Sequence, residues 1–348
     1  MKKKIKIFLG AYINQSNAQN LNCQAIARHI NKNKFEVYTL SIKHGNFGTL
    51  QIDDVNIFTC YFPIKLTRYI GFLWGIYKCD VAYLERPDIY RFQRLLVSLF
   101  KKKSFKTVET IIDLEKPEFI YRPVKEIVEN FKFVDKSFAI SEFIRDYHKV
   151  HLKIVTEDFI LYQVPLLLNE NLRVKPIEGL KEIVFIGNDM KRKGIDDYIE
   201  LSKHFPQIVF NVIGRDEQGI FNERSDKFRN ILFHGMLDKN DLLKVLNKSQ
   251  LHILPSRLEG FPRMIIECAL AGIPTITYSD YGAKEWIVNY ENGIVCDYLD
   301  EMRQGINSFL LDPDLLKRNS NGAFKLGKKY TPERIVNLYE KVIEKILT

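Results

Sequence analysis

Two glutamates and a cluster of cations are the side chains in this sequence whose types and spacing suit chemistry on a ligand. Glu259 and Glu267 lie eight residues apart in the stretch Leu254-Pro255-Ser256-Arg257-Leu258-Glu259-Gly260-Phe261-Pro262-Arg263-Met264-Ile265-Ile266-Glu267. The apolar run from Leu251 to Leu254 reads as a buried strand that breaks at Pro255-Ser256. The chain then passes through a loop holding Glu259 and Gly260 and resumes as a helix over Arg263 to Ala271. Pro262 suits the first turn, where its missing N–H costs nothing, and Gly272 suits a left-handed stop. A strand, a glycine-bearing turn and a helix start leave free backbone N–H groups and the positive end of the helix dipole pointing out of the turn, which makes an anion site. Side chains on a helix lean toward its N-terminus, so Glu267 can reach back to the pocket that Glu259 flanks. Neither glutamate has an obvious salt-bridge partner in the local sequence. Either one alone is explained by complementing the helix dipole. Together with the glycine turn they suggest a ligand offering phosphate to the backbone and paired hydroxyls to the carboxylates, as a nucleotide sugar does.

Lys191-Arg192-Lys193-Gly194 follows a second strand, Glu182 to Ile186, after the turn Gly187-Asn188-Asp189. It sits at the carboxyl edge of that strand and could face the anion site. Arginine neutralises a diphosphate by a planar fork and lysine as a point charge. Three cations directly before a helix oppose its dipole, and a local conflict of that kind points to function. The plain alternative is a solvated basic loop.

Other groups carry less. Asp312-Pro313-Asp314 has the spacing of a metal-holding DxD, but it precedes a helical run, where Asp caps and Pro opens the first turn. His148 and His151 lack Glu and Cys partners at metal spacing, and all seven histidines read as surface residues. No Gly-x-Ser-x-Gly elbow, Walker loop or GxGxxG fingerprint is present, so NAD has little support.

The elements that must position these groups alternate. Ile5 to Leu9, ended by Gly10, then Leu21 to Ile30 and Phe35 to Leu40 make a strand, a helix and a strand, a Rossmann-like opening. Strands follow at Val55 to Phe58, Val81 to Leu84, Thr107 to Ile112, Lys136 to Ile140 and Ile160 to Val164. Helices are expected over Leu66 to Tyr77, Arg91 to Phe100 and Glu142 to His148. After a linker from Pro165 to Pro176 the alternation is more regular, and the chain ends in three helical runs, Glu301 to Leu311, Asp314 to Lys328 and Pro332 to Leu347. This pattern predicts an α/β fold of two Rossmann-like α/β/α domains whose parallel sheets face across a cleft. The expected boundaries are 1–168, 169–330 and a C-terminal helical segment, 331–348.

The chain has 348 residues, of which 46% are apolar, enough for two cores. No apolar run approaches the roughly 18 residues needed to span a bilayer. The lysine-rich start leads into an apolar stretch that ends by Gly10, with no cleavage-site character after it. Five scattered cysteines without a CxxC pair read as reduced residues of a cytoplasmic protein. The net charge of +9 is uneven: residues 1–170 hold 26 Lys+Arg against 18 Asp+Glu, and residues 171–348 hold 26 against 25. The first half is therefore the part expected to meet something anionic. Leu66 to Lys78 mixes aromatics with Arg68 and Lys78 and fits a membrane face or an ordinary helix equally well. For Arg91 to Lys103 a helix ending in a polar turn is the better fit. Nucleic-acid binding would need a recognition motif or an aromatic-and-basic face, and none stands out.

The ordered set of motifs resembles the family-4 retaining glycosyltransferases of the GT-B fold (glycosyl transferases group 1). It comprises Phe185-Ile186-Gly187 through Lys193-Gly194, Val212-Ile213-Gly214, Phe233-His234-Gly235, Pro255-Ser256, Glu259 to Glu267, Gly272-Ile273-Pro274 to Glu285, and Asn292-Gly293. The resemblance implies that Glu267 binds ribose hydroxyls and Glu259 the transferred sugar. Amides around Gly260 and Phe261 would contact sugar and diphosphate, whereas Pro262 has no N–H to give. Lys193 and Arg192 would stabilise the departing diphosphate. With Glu259 these form the expected catalytic set. Gly10, Gly187, Gly214, Glu259, Gly260, Phe261, Pro262, Arg263 and Glu267 form the donor-binding set. Family members retain anomeric configuration and need no metal or other cofactor to bind the donor. Two departures stand out. Asn188 occupies a position where many relatives have Arg, leaving Arg192 to supply the second cation. The stretch from Thr107 to Asp113 offers Glu109 and Asp113 but not the histidine common there. The first half matches in layout only: the Gly10 loop, Ser141 after a strand, and a last helix crossing back.

The expected function is transfer of a hexose from a UDP- or GDP-sugar to a saccharide or lipid-linked acceptor, in cell-surface polysaccharide or glycolipid synthesis. The expected location is the cytoplasm, with peripheral contact to the inner face of an anionic membrane through the basic first half. The alternatives are a catalytically silent GT-B subunit that binds a partner glycosyltransferase and, disfavoured by the two-glutamate loop, a sugar epimerase.

Overall fold

In a computed structural model, the described residues are 3–43, 50–85, 89–109, 123–166, 176–221 and 229–348. They form two open parallel sheets of six strands each, within two compact units. The first unit comprises Met1–Leu166 and Pro332–Thr348, and the second Leu167–Thr331.

The first sheet runs in the order β3-β2-β1-β4-β5-β6. Its strands are β1 (Ile5–Tyr12), β2 (Phe35–Ile42), β3 (Val55–Cys60), β4 (Val81–Tyr83), β5 (Lys103–Val108) and β6 (Lys136–Ala139). The helices between them are α1 (Ala18–His29), α2 (Ile64–Lys78), α3 (Tyr90–Leu99), α4 (Val124–Lys132) and α5 (Glu142–His151). Capping follows the sequence: Asn17 Oδ1 accepts from Asn20 N at 2.9 Å at the start of α1, and Ser141 Oγ from Ile144 N at 3.2 Å at the start of α5.

The second sheet runs β12-β11-β10-β7-β8-β9. Its strands are β7 (Glu182–Ile186), β8 (Val209–Ile213), β9 (Ile231–Gly235), β10 (Leu251–Leu254), β11 (Thr275–Tyr278) and β12 (Gly293–Cys296). Helices α6 (Ile195–His204), α7 (Lys239–Lys248), α8 (Arg263–Leu270), α9 (Leu299–Leu311) and α10 (Pro313–Lys329) cover it. Both sheets are buried by helices on their two faces, the arrangement that continuous apolar strands require. The last helix, α11 (Pro332–Leu347), belongs to the first unit. Its Tyr339 hydroxyl accepts from Asn22 Nδ2 of α1 at 2.9 Å and donates to the carbonyl of Tyr162 at 3.1 Å.

Several expectations are corrected. β1 does not end at Gly10 but runs to Tyr12, and Gly10 is a buried strand residue rather than a loop. A Cβ there would lie 3.0 Å from the Tyr83 carbonyl and 3.1 Å from the Phe72 ring, so the glycine serves close packing of β1 on β4 and α2. β5 begins earlier than Thr107 because α3 stops at Leu99 and Lys101, at φ +50°, turns the chain straight into the strand. The strand carries a buried lysine, which disguised it in the sequence. Lys106 lies beside Asn130 Oδ1, with its Nζ 4.6 Å from the Phe133 ring centroid. Burial pushes its pKa down to about 7, with Glu85 acting in the opposite direction. Helix α4 had no counterpart in the sequence reading. Residues 160–164 are not a strand, although Leu161 N donates to the Ala139 carbonyl of β6 at 2.9 Å. His148 and His252 are fully buried rather than on the surface. The five cysteines are buried thiols. Asp113 and most of the Pro165–Pro176 linker, with the 168/169 boundary, lie outside the described residues.

Candidate functional site

β10, β7 and β8 are adjacent and parallel, so the turns that follow them meet at one carboxyl edge of the second sheet. In open α/β sheets this is the edge where ligands bind. The turn after β10 carries Glu259, the turn after β7 carries Arg192 and Lys193, and Gly214 follows β8.

Glycines let these turns approach. Gly194 caps α6 in the left-handed region at φ +82°, and a Cβ on it would sit 2.0 Å from the Pro255 carbonyl oxygen. Gly214, at φ +144°, would place a Cβ 1.9 Å from the Gly187 carbonyl. Gly187 in turn underlies the Lys193 side chain, 2.9 Å from its Cγ to where a Cβ would be.

The result is an ion cluster that the local sequence does not reveal. Lys193 Nζ lies 2.6 Å from Glu259 Oε1. Arg192 Nη1 is 3.5 Å from the same oxygen and donates to the Leu258 carbonyl at 2.7 Å. Its Nε reaches Asp189 Oδ2 at 3.2 Å. Glu259 is 7% exposed. Burial pushes its pKa up, but Lys193, Arg192 and a hydrogen bond from Ser256 outweigh that and hold the carboxyl below its ordinary value. Burial lowers the Lys193 ammonium, offset in part by Glu259. The expectation that Glu259 lacks a salt-bridge partner holds only along the chain, since Lys193 lies 66 residues upstream and Arg192 one residue before it. Lys191 is a different case: its Nζ pairs with Asp196 at 2.7 Å in the first turn of α6, which settles the conflict between one of the three cations and that helix.

The two-glutamate helix is built as its residues require. Pro262 is the N-cap of α8, and Arg263 its first residue. The helix closes with Ile273 N donating to Cys268 O and Gly272 N to Ala269 O, both at 2.9 Å, with Gly272 at φ +70°. This is a Schellman stop. The Phe261 ring is buried edge-on against Trp286 at 5.4 Å between centroids, so the residue offers a ligand its backbone and not its side chain. Glu267 is buried on α8.

Arg192, Lys193 and Glu259 are therefore in direct contact, with Gly187 and Gly214 beneath them and Gly260, Phe261, Pro262 and Arg263 leading into α8. Gly10 is in the first unit, inside β1. Ser256, quoted in the sequence only as part of the Pro255-Ser256 motif, has a buried hydroxyl 3.4 Å from the Arg192 carbonyl. His252, expected on the surface, is buried in β10 with Nδ1 3.0 Å from Thr275 Oγ1. A polar residue within a strand that otherwise reads as apolar was the available signal for His252. Asp312 caps α10 by accepting from Leu315 N at 2.9 Å, with Pro313 at the first helical position. Among the described residues, no group of three or more His, Cys, Asp or Glu side chains could hold a metal ion.

In the first unit, Glu109 stands in the stretch that lacks the expected histidine. Its Oε1 accepts from Thr107 Oγ1 at 2.9 Å and its Oε2 from Gln163 Nε2 at 2.9 Å. Thr107 N donates to Glu85 Oε1 at 3.0 Å, and the Thr107 hydroxyl lies at the same distance from that oxygen.

Comparison with known proteins places residues 169–326 in a match to the family described as glycosyl transferases group 1. The chain is 28% identical over 195 residues to the alpha-galactosylglucosyldiacylglycerol synthase of Streptococcus pneumoniae, covering 52% of this chain and 51% of that protein. The chain spans about half the length of the curated relatives it matches. Among solved structures it superposes on the sucrose-phosphate synthase of Thermosynechococcus elongatus with a TM-score of 0.80, at 13% identity over 99% of both chains. It superposes on Anabaena HepE in complex with UDP with a TM-score of 0.78, at 14% identity over 99% of this chain and 100% of that one. HepE is also known in complex with UDP-glucose. The two six-stranded parallel sheets and their helices are those of the GT-B fold.

Proposed function

We propose, from the match of residues 169–326 to the glycosyl transferases group 1 family, that the chain is a member of that family and transfers a hexose from a nucleoside diphosphate sugar to a saccharide or lipid-linked acceptor. One observation carries the reading. The cations after β7 and the glutamate loop after β10, far apart in sequence, meet at one carboxyl edge through the 2.6 Å contact of Lys193 with Glu259.

The residues divide the donor by charge. Backbone N–H groups at the start of α8 favour phosphate, and the buried Glu267 carboxylate suits the paired hydroxyls of a ribose. Lys193 and Arg192 stabilise the charge that grows on the diphosphate as the glycosidic bond breaks, the point at which electrostatic stabilisation counts most. A diphosphate drawn to Lys193 competes with Glu259 for the ammonium, and the carboxylate it releases accepts hydrogen bonds from the sugar. Two cations of the protein meet the diphosphate in this scheme, so donor binding is expected without a metal or other cofactor. Transfer is expected to retain the anomeric configuration.

UDP is favoured over GDP by the likeness to HepE, solved with UDP-glucose. A lipid acceptor is favoured by the likeness to a diacylglycerol glycoside synthase. The excess positive charge of residues 1–170 supports work on the inner face of an anionic membrane, with the chain in the cytoplasm. The test is calorimetric titration of UDP- and GDP-sugars, followed by NMR of the product anomer. Failure of every nucleotide sugar to bind would favour the silent accessory subunit instead.

A further inference from the structure

We propose that the exposed face formed by α2 and α3 is a docking surface for an anionic lipid bilayer. This deepens the lipid-linked acceptor reading by naming the surface that meets the membrane. The observations are independent of the sugar site.

α2 is sided. Gly71 and Gly75 press it onto the sheet, since a Cβ on Gly75 would lie 2.2 Å from the Phe8 ring and one on Gly71 2.9 Å from Leu40. Phe72 and Ile76 are buried beside them. The outward side is not polar. Leu66, Tyr69, Ile70, Leu73 and Tyr77 are all exposed, at the three- and four-residue spacing of a single helical stripe. Phe62, just before the helix, is 79% exposed. The stripe continues onto α3, because Tyr69 packs edge-on to Phe92 at 4.9 Å and Tyr77 to Phe100 at 5.4 Å. Leu95 and Leu99 stand three and seven residues on from Phe92, on its side of α3, and both are exposed. Apolar side chains scattered singly on a surface are ordinary, whereas a contiguous band of this extent marks an interaction site.

Charge selects the occupant. Residues 55–79 and 89–108 contain no Asp or Glu. Lys65 and Lys78 are exposed on α2, and Arg91, Arg94 and Lys101 on α3 and just after it. A second copy presenting the same face would set these cations against one another. An apolar, tyrosine-bearing band edged by lysine and arginine instead fits acyl chains below and anionic headgroups around it. No helix among the described residues is long and apolar enough to cross a membrane, so the contact proposed is with the surface.

The test is co-sedimentation of the full chain with phosphatidylcholine vesicles, with and without phosphatidylglycerol. The chain should pellet with the anionic vesicles only, and added salt should weaken the binding. Lys65→Glu with Lys78→Glu should weaken it by at least about fivefold for each cation reversed, and Leu66→Ser with Leu73→Ser should abolish it. Both pairs are exposed, and unchanged circular dichroism and nucleotide binding would establish that they fold. No binding to anionic vesicles, equal binding to neutral ones, or variants that bind like the parent would overturn the proposal. So would concentration-dependent dimerisation abolished by Leu73→Glu, which would give the face to a second copy. Nucleotide binding without vesicle binding would sink this inference alone, leaving the transferase reading in place.

Discussion

The Lys193 ammonium lies 2.6 Å from the Glu259 carboxylate, joining the turn after β7 to the turn after β10. The two residues were expected at opposite ends of one reaction, the cation on the diphosphate and the acid on the sugar. Their contact means that each is held in place by the other, and that a ligand reaching either must answer for both.

Removing one partner should therefore cost stability as well as activity. Lys193→Ala leaves a buried carboxylate facing only Arg192 at 3.5 Å among its basic neighbours, a loss of about 1–3 kcal/mol in urea unfolding. Lys193→Met with Glu259→Leu should recover much of that loss, because no unpaired charge stays buried, while nucleotide-sugar turnover stays absent. Full turnover in Lys193→Ala would remove Lys193 from the mechanism.

Gly194→Ala tests whether the turn needs its geometry. The added methyl would meet the Pro255 carbonyl at 2.0 Å at a backbone of φ +82°. The expected result is a lower Tm together with weaker nucleotide-sugar binding, since the displaced turn carries Lys193. Unchanged binding affinity would show that the turn has slack.

Acid should weaken the fold through buried histidine. Burial, with the Lys193 ammonium second, holds the His252 pKa at about 3 against an ordinary 6.5. The unfolded chain takes up this proton first as pH falls. Stability is thus fully present above 6.5 and is lost between 6.5 and 3, by about 1–2 kcal/mol from pH 7 to pH 5. His148, held by burial and His151 at about 4, adds a loss of the same sign. His252→Asn should flatten the dependence of the urea midpoint on pH over that range, and an unchanged slope would refute the assignment.

Tyr339 tests the last helix. Tyr339→Phe removes the hydroxyl that joins Asn22 of α1 to the Tyr162 carbonyl, at an expected cost of about 1–2 kcal/mol. Hydrogen exchange should quicken in α11 and α1 before the rest of the first unit. Uniform protection would mean that the helix is fastened elsewhere.

The second sheet was the more legible in sequence. Its strands are short apolar runs and the Asp-Pro start of α10 is an ordinary one, so β7, β10 and α10 fall within a residue of where the pattern puts them. The first unit defeated the pattern where polar residues are buried. Lys106 on β5 is tolerated because Asn130, Phe133 and Glu85 surround it, and those partners are not neighbours in the chain. Gly10 ended a strand on paper and continues it in three dimensions because Tyr83 and Phe72 need the space. The site follows the same rule. Residue types gave Glu259, Glu267, Arg192 and Lys193 as candidates, but pairing across 66 residues is a property of strand order, which local spacing does not encode.

The central claim is that this carboxyl edge holds a nucleoside diphosphate sugar, with Glu267 on the nucleotide. Isothermal titration of UDP and GDP into the parent protein and into Glu267→Ala, each with and without EDTA, tests it directly. The account predicts that at least one of the two binds the parent protein whether or not EDTA is present. It also predicts that Glu267→Ala weakens binding by roughly 10- to 100-fold, the worth of hydrogen bonds to a charged acceptor. Binding of neither nucleotide to the parent protein, or equal affinity in the variant, would contradict it.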